Sequence, residues 1–169
     1  MDIDEQADIA AVRLVKELTE RHYTIALAES CTAGLVSDLI ARVSGASAVL
    51  WGSFVRYSPE EKKRMLGIDG NFLDKHGLVS AETAGEMALN ALVLSGAAIG
   101  ASVTGLAGPL GDGSAAPVGT VFVGIAREVN GEAAAEVKPL FFKGNRAEIR
   151  MQAAKAVIDK ILETMNNEQ

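Results

Sequence analysis

The chain is poor in the residues that build metal sites and cross-links: of its 169 residues one is cysteine, two are histidine and one is tryptophan. A single cysteine can close no internal disulfide. His22, His76 and Cys31 are too far apart in the sequence to match any metal-ligand spacing, so no metal is expected. Positive charge is also scarce, with 16 Lys and Arg against 22 Asp and Glu and a net charge of -6. That balance removes the electrostatic footprint of a protein gripping nucleic acid along its backbone and leaves open only a local basic patch, so no direct nucleic-acid partner is expected. Long apolar runs are missing too. The most apolar stretch, ALNALVLSGAAIGASV at 88–103, is interrupted by Asn90, Ser95 and two glycines and falls short of the roughly 20 residues that span a bilayer. The amino terminus, MDIDEQAD, is acidic where a secretory signal would be basic and then apolar, so a cytoplasmic location and no membrane partner are expected.

With 49% hydrophobic residues, the chain can fill one core and is too short for two ordinary domains. A single domain over 1–169 is expected. Between Asp4 and Arg21 the apolar positions Ala11, Leu14, Val15 and Leu18 follow the spacing of one helical face. Tyr23 to Ala28 reads as a strand covered on both faces, and helical spacing resumes from Thr32 to Val43. Ala48 to Tyr57 reads as a second strand. Ser58 with Glu61 then has capping-box spacing, and Pro59 sits at the first helical position, where its missing N–H is harmless. A short helix from Asn71 to His76 follows, and Ser80 caps another whose face is Ala84, Met87, Ala88 and Ala91. Ala98 to Thr104 reads as a central strand, and Val118 to Ala126 with Glu132 to Phe142 as an antiparallel pair. Asn145 with Glu148 opens a last helix that buries Ala154, Val157, Ile158 and Ile161. This order predicts an α/β fold: a three-layer α/β/α sandwich with a mixed, mainly parallel sheet of about five strands.

Chemistry concentrates in AESCTAGL, at 28–35, where a buried strand gives way to a helix. Ser30 lies in the crevice where open α/β sheets bind ligands, and a side-chain oxygen there can attack a carbonyl while nearby N–H groups stabilise the oxyanion. A serine at that point can equally be a helix cap. Cys31 has the alternatives of thiolate nucleophile, for which neither histidine lies in a suitable motif, and small buried side chain. Lys62, one turn into the helix that Ser58 opens, can activate a serine if partly desolvated, or can belong to a solvated Glu-Glu-Lys-Lys face. The loop with glycines at 105, 108, 111 and 113 can cradle a phosphate or form a long turn; it matches neither the dinucleotide fingerprint nor the P-loop.

Five segments taken together, AESCTAGL, GSFVRYSPEEK at 52–62, TGLAGP at 104–109, PVGTV at 117–121 and GNR at 144–146, resemble the CinA C-terminal domain family. They run in order from the first helix to the last. The family includes nicotinamide-nucleotide amidases, so the resemblance implies hydrolysis of the carboxamide of nicotinamide mononucleotide to nicotinate mononucleotide and ammonia, with no metal or cofactor. It implies Ser30 as nucleophile, Lys62 as general base and Tyr57 as their hydrogen-bonding partner. It also implies substrate binding at Cys31, Thr32, Gly34, Gly105 and Gly108, with the N–H groups of Cys31 and Thr32 as the oxyanion site, and a homo-oligomer, taken as a dimer. Ala33 stands where the family has glycine, Pro59 where it has asparagine and Ala116 where it commonly has lysine, and the loop reads GPLGDG for GPDGG. The alternative implied by the family's competence and damage-inducible members is a nucleotide-binding or regulatory module that performs no chemistry.

Overall fold

The computed structural model describes residues 1–56 and 58–167, apart from the side chains of Pro59 and Lys62. Its elements run α1 (Ile3–Arg21), β1 (Ile25–Glu29), α2 (Leu35–Ala41), a 3-10 turn (Ala46–Ala48), β2 (Leu50–Val55), α3 (Pro59–Leu66), α4 (Gly70–His76), α5 (Ala81–Ser95), β3 (Ile99–Gly105), β4 (Thr120–Val129), β5 (Glu132–Phe141) and α6 (Arg146–Asn166). The strands form one sheet in the order β2-β1-β3-β4-β5. β1 pairs parallel with β2 and β3, and β4 runs antiparallel to both β3 and β5, so β4 alone opposes the other four.

Alternation along the strands decides the layers. Ile25 and Leu27 of β1 enter the core under α1, α2 and α6, whereas Ala26 and Ala28 enter the one under α3, α4 and α5. β3 divides the same way, with Ile99, Ala101 and Val103 facing α1, α2 and α6. On its other face stand small residues. A Cβ on Gly100 would lie 2.3 Å from the Ala88 carbonyl oxygen and 2.7 Å from the Leu92 nitrogen, and one on Gly124 would lie 2.6 Å from the Ala84 carbonyl oxygen. The Ser102 hydroxyl donates to that Ala84 oxygen at 2.6 Å. α5 therefore rests its backbone on the sheet. Gly100→Ala should cost about 1–3 kcal/mol by overpacking, read as a lowered denaturation midpoint, because the atoms in the way are backbone and cannot rotate aside.

The helix faces and caps stand where the residue pattern puts them. Ala11, Leu14, Val15 and Leu18 are all buried, as are Ala84, Met87, Ala88 and Ala91 of α5 and Ala154, Val157, Ile158 and Ile161 of α6. Ser58 accepts from the Glu61 N–H, Ser80 caps α5, and Asn145 with Glu148 completes a reciprocal capping box. Two expectations need correction. The helix predicted from Thr32 begins only at Leu35, because Ala33 (φ 50°) and Gly34 (φ 93°) both turn left-handed and close a tight turn first. The strand predicted over 48–57 is shorter, Leu50–Val55, and its end at Tyr57 lies outside the described residues.

β2 carries an irregularity that matters for the site. Ile25 pairs with Leu50 and Ala26 with Gly52, so Trp51 is the extra residue of a bulge. Beyond it Ser53 stands beside Leu27 and Val55 beside Glu29. Without that residue every later side chain of β2 would change face, and Phe54 would take the side that Ser53 now occupies.

Candidate active site

Glu29 ends β1 and is 1% exposed, a position where an acidic side chain persists only with full hydrogen bonding. It has that. One carboxylate oxygen accepts from the Thr32 hydroxyl at 2.8 Å and from the Gly34 and Val36 N–H groups at 3.0 Å. The other accepts from the Ser37 N–H and the Ser53 hydroxyl, both at 3.0 Å. Three of these donors are N–H groups at the start of α2, which a helix leaves unpaired. Gly34 at the N-cap offers no side chain, so the Glu29 carboxylate caps this helix from five residues upstream.

That arrangement settles what Ser30 does not do: it does not cap α2. Its N–H donates to the Val103 carbonyl at 3.1 Å and its own carbonyl accepts from the Ala33 N–H at 3.0 Å, so its backbone is stitched to β3 and to the turn. Ser30 and Cys31 line a cavity of about 240 Å³ at the carboxyl ends of β1 and β3. From those two strands the chain leaves in opposite directions, to α2 and to the loop before β4, which is the crevice expected of an open α/β sheet. Leu78 and Val79 form a second wall, held by the Thr104 hydroxyl donating to the Leu78 carbonyl at 2.8 Å. The end of β3 and the loop after it supply a third, including Gly105, Gly108, Leu110 and Asp112, and Arg146 of α6 completes the lining.

Of the residues singled out from the sequence, the structure brings Ser30, Cys31, Gly105, Gly108 and Gly111 to one cavity, which Gly113 does not line. Thr32 is wholly buried with its hydroxyl on Glu29, and Gly34 sits behind it at the start of α2; neither lines the cavity. Lys62 lies in the first turn of α3. That helix starts close by, since Val55 pairs with Glu29 and the Arg56 N–H donates to the Glu29 carbonyl at 2.9 Å. The Lys62 side chain and all of Tyr57 lie outside the described residues. His22 is exposed and His76 packs on Phe72, ring centroids 4.5 Å apart; neither histidine lines the cavity. Among the described residues no three His, Cys, Asp or Glu side chains converge as a metal would require.

Two of these glycines, Gly105 at the end of β3 and Gly108 in the loop, are required by packing. A Cβ on Gly105 would lie 2.7 Å from the Thr120 carbonyl oxygen, and one on Gly108, whose φ is 81°, would meet Val118 at 2.6 Å. They let the cavity wall lie against the start of β4. At the mouth, Ser114 donates hydrogen bonds to Asp112 from its hydroxyl and its N–H, and these hold the Asp112 carboxyl below the usual carboxylate range. Negative charge thus stands on the same rim as the Arg146 guanidinium, which donates to the Gly108 carbonyl at 2.6 Å.

Glu29, Ser53, Arg146 and Arg150 were not read from the sequence as site residues. A carboxylate directly after the apolar run YTIALA was the available signal for Glu29, and the two arginines lie four apart just after a capping residue. Nothing in the sequence marks Ser53, whose side depends on the bulge. Ala33 carries a cost of its own. A non-glycine residue at φ 50° is disfavoured by about 1–2 kcal/mol, so Ala33→Gly should raise stability by roughly 0.5–1 kcal/mol after glycine's greater unfolded-state freedom, measured by urea denaturation.

Comparison with known proteins agrees with this architecture. The chain is 40% identical over 169 residues to a putative competence-damage inducible protein of Caldanaerobacter subterraneus subsp. tengcongensis, covering all of this chain and 39% of that one. It is 47% identical over 131 residues to another of that description from Halothermothrix orenii, covering 78% of this chain and 31% of that one. The chain thus spans well under half the length of these relatives. Among solved structures, the competence/damage inducible protein CihA of Agrobacterium tumefaciens superposes with a TM-score of 0.86 at 32% identity, covering 94% of each chain. The competence damage-inducible protein A of Klebsiella pneumoniae gives 0.88 at 27%, covering 96% of this chain and 99% of that one. A model of the CinA C-terminal domain matches residues 7–165, and with that span and the fold in agreement, the chain belongs to the CinA C-terminal domain family.

Proposed function

We propose that the chain hydrolyses the carboxamide of nicotinamide mononucleotide, giving nicotinate mononucleotide and ammonia, as a serine amidohydrolase without a metal. The observation that carries this reading is the division of labour at the end of β1: Glu29 caps α2, which leaves Ser30 at the cavity wall without that duty. A serine on a sharp turn between a buried strand and a helix is a recurring seat for a nucleophile.

Lys62, as its free amine, takes the Ser30 hydroxyl proton while Oγ bonds to the amide carbon. The tetrahedral intermediate collapses by breaking its C–N bond, and Lys62 returns the proton to the departing ammonia. Water then attacks the acyl-enzyme ester, losing a proton to Lys62. The C–Oγ bond breaks and Ser30 recovers its proton. Tyr57 supports the pair by hydrogen bonding. The cavity, about 240 Å³, is smaller than most ligand pockets, which suits enclosure of the pyridine ring with the phosphate left at the mouth near Arg146.

The test is ammonia release from nicotinamide mononucleotide by the purified chain and by Ser30→Ala and Lys62→Ala. Turnover by the wild type alone is expected. A wild type that binds the nucleotide but releases no ammonia at high enzyme concentration assigns the chain instead to the non-catalytic binding module.

A further inference from the structure

We propose that Arg150 is a positioning residue for Ser30, a role that rests on the amidase reading above. The turn after β1 is held by charged side chains from two sides. Glu29 takes its donors, and Arg150, reaching across from α6, takes its acceptors: Nε donates to the Cys31 carbonyl at 3.1 Å and Nη2 to the Thr32 carbonyl at 2.7 Å. Both bonds are charge-assisted, and the fork of the guanidinium matches two neighbouring carbonyls as one amine could not.

Such a brace is needed here more than in an ordinary turn. Ala33 and Gly34 take positive φ in succession, at 50° and 93°, so this backbone is not one the chain adopts without restraint. A planar peptide fixes each N–H opposite the preceding carbonyl. Holding the Cys31 and Thr32 carbonyls therefore fixes the two peptide planes that follow Cys31 and Thr32, and the Ala33 N–H closes onto the Ser30 carbonyl at 3.0 Å. Arg150 does none of this from within the cavity, since it lines a different hollow beside Leu35 and Met151. It acts through the turn and touches no substrate. One helical turn earlier, Arg146 bonds the Gly108 carbonyl, so α6 sets the wall that bears Ser30 against the wall formed by the loop.

The experiment compares wild type, Arg150→Met and Arg150→Lys in the full chain by steady-state ammonia release from nicotinamide mononucleotide, thermal melting and hydrogen exchange of the segment 33–37. Arg150→Met should lower kcat by about 10–100-fold, with KM within about threefold, because displacement of a nucleophile by a fraction of an ångström is felt in the chemical step. Arg150→Lys should recover part of that loss, restoring one of the two bonds. Exchange at 33–37 should quicken by about tenfold or more in Arg150→Met while that of β3 is unchanged. An Arg150→Met chain that keeps its kcat, or one whose segment 33–37 exchanges as in the wild type, overturns the proposal. A wild type without turnover overturns the amidase reading instead, and the exchange measurement then decides by itself whether Arg150 holds the turn.

Discussion

Ser30→Ala should lower ammonia release from nicotinamide mononucleotide by on the order of 10⁴-fold or more, with little change in nucleotide affinity. The size follows from what is removed. Without an oxygen at this position no acyl-enzyme forms, and only binding and polarisation in the cavity remain to assist attack by water. The start of α2 should stay intact, because the N–H groups that a cap would satisfy are on Glu29. Lys62→Ala should cause a comparable loss, and the double variant should lose no more than either alone, since nucleophile and base act as one unit. Multiplying losses in the double variant, or a Ser30→Ala chain that retains turnover, would remove Ser30 and Lys62 from the roles assigned to them.

Glu29→Ala should destabilise the fold by about 3–5 kcal/mol, as several buried donors lose their acceptor at roughly 1–3 kcal/mol each, read from equilibrium chemical denaturation. The substitution strands five donors that now converge on one carboxylate: the Thr32 and Ser53 hydroxyls and the Gly34, Val36 and Ser37 N–H groups. Little water can replace it, because Glu29 and Thr32 are both buried. Glu29→Gln should be milder, at about 1–3 kcal/mol, since the amide keeps one accepting oxygen but turns an NH₂ group toward other donors. Turnover should fall in both variants as the turn bearing Ser30 loosens. A Glu29→Ala chain within about 1 kcal/mol of wild type would mean that the donors find other partners and that this carboxylate is not what holds the turn.

The residue pattern alone determined the order of helices and strands, the buried faces of α1, α5 and α6, and the caps at Ser58, Ser80 and Asn145. These are short-range properties: periodicity, capping spacing and turn chemistry act within a few residues, so one sequence suffices to see them. It also drew attention to Ser30, while leaving open whether that serine caps a helix or faces a cavity. Only the tertiary structure decided this, because the competing cap is the Glu29 carboxylate, whose partners include Ser53 on another strand. Ser53 reaches it only through the bulge at Trp51, a register choice made between strands. Arg150 meets the turn across more than a hundred residues, and nothing local to either segment announces the pairing. Long-range hydrogen bonds and strand register are set by how the layers pack, and they determine whether a serine at the end of a strand caps a helix or lines a cavity.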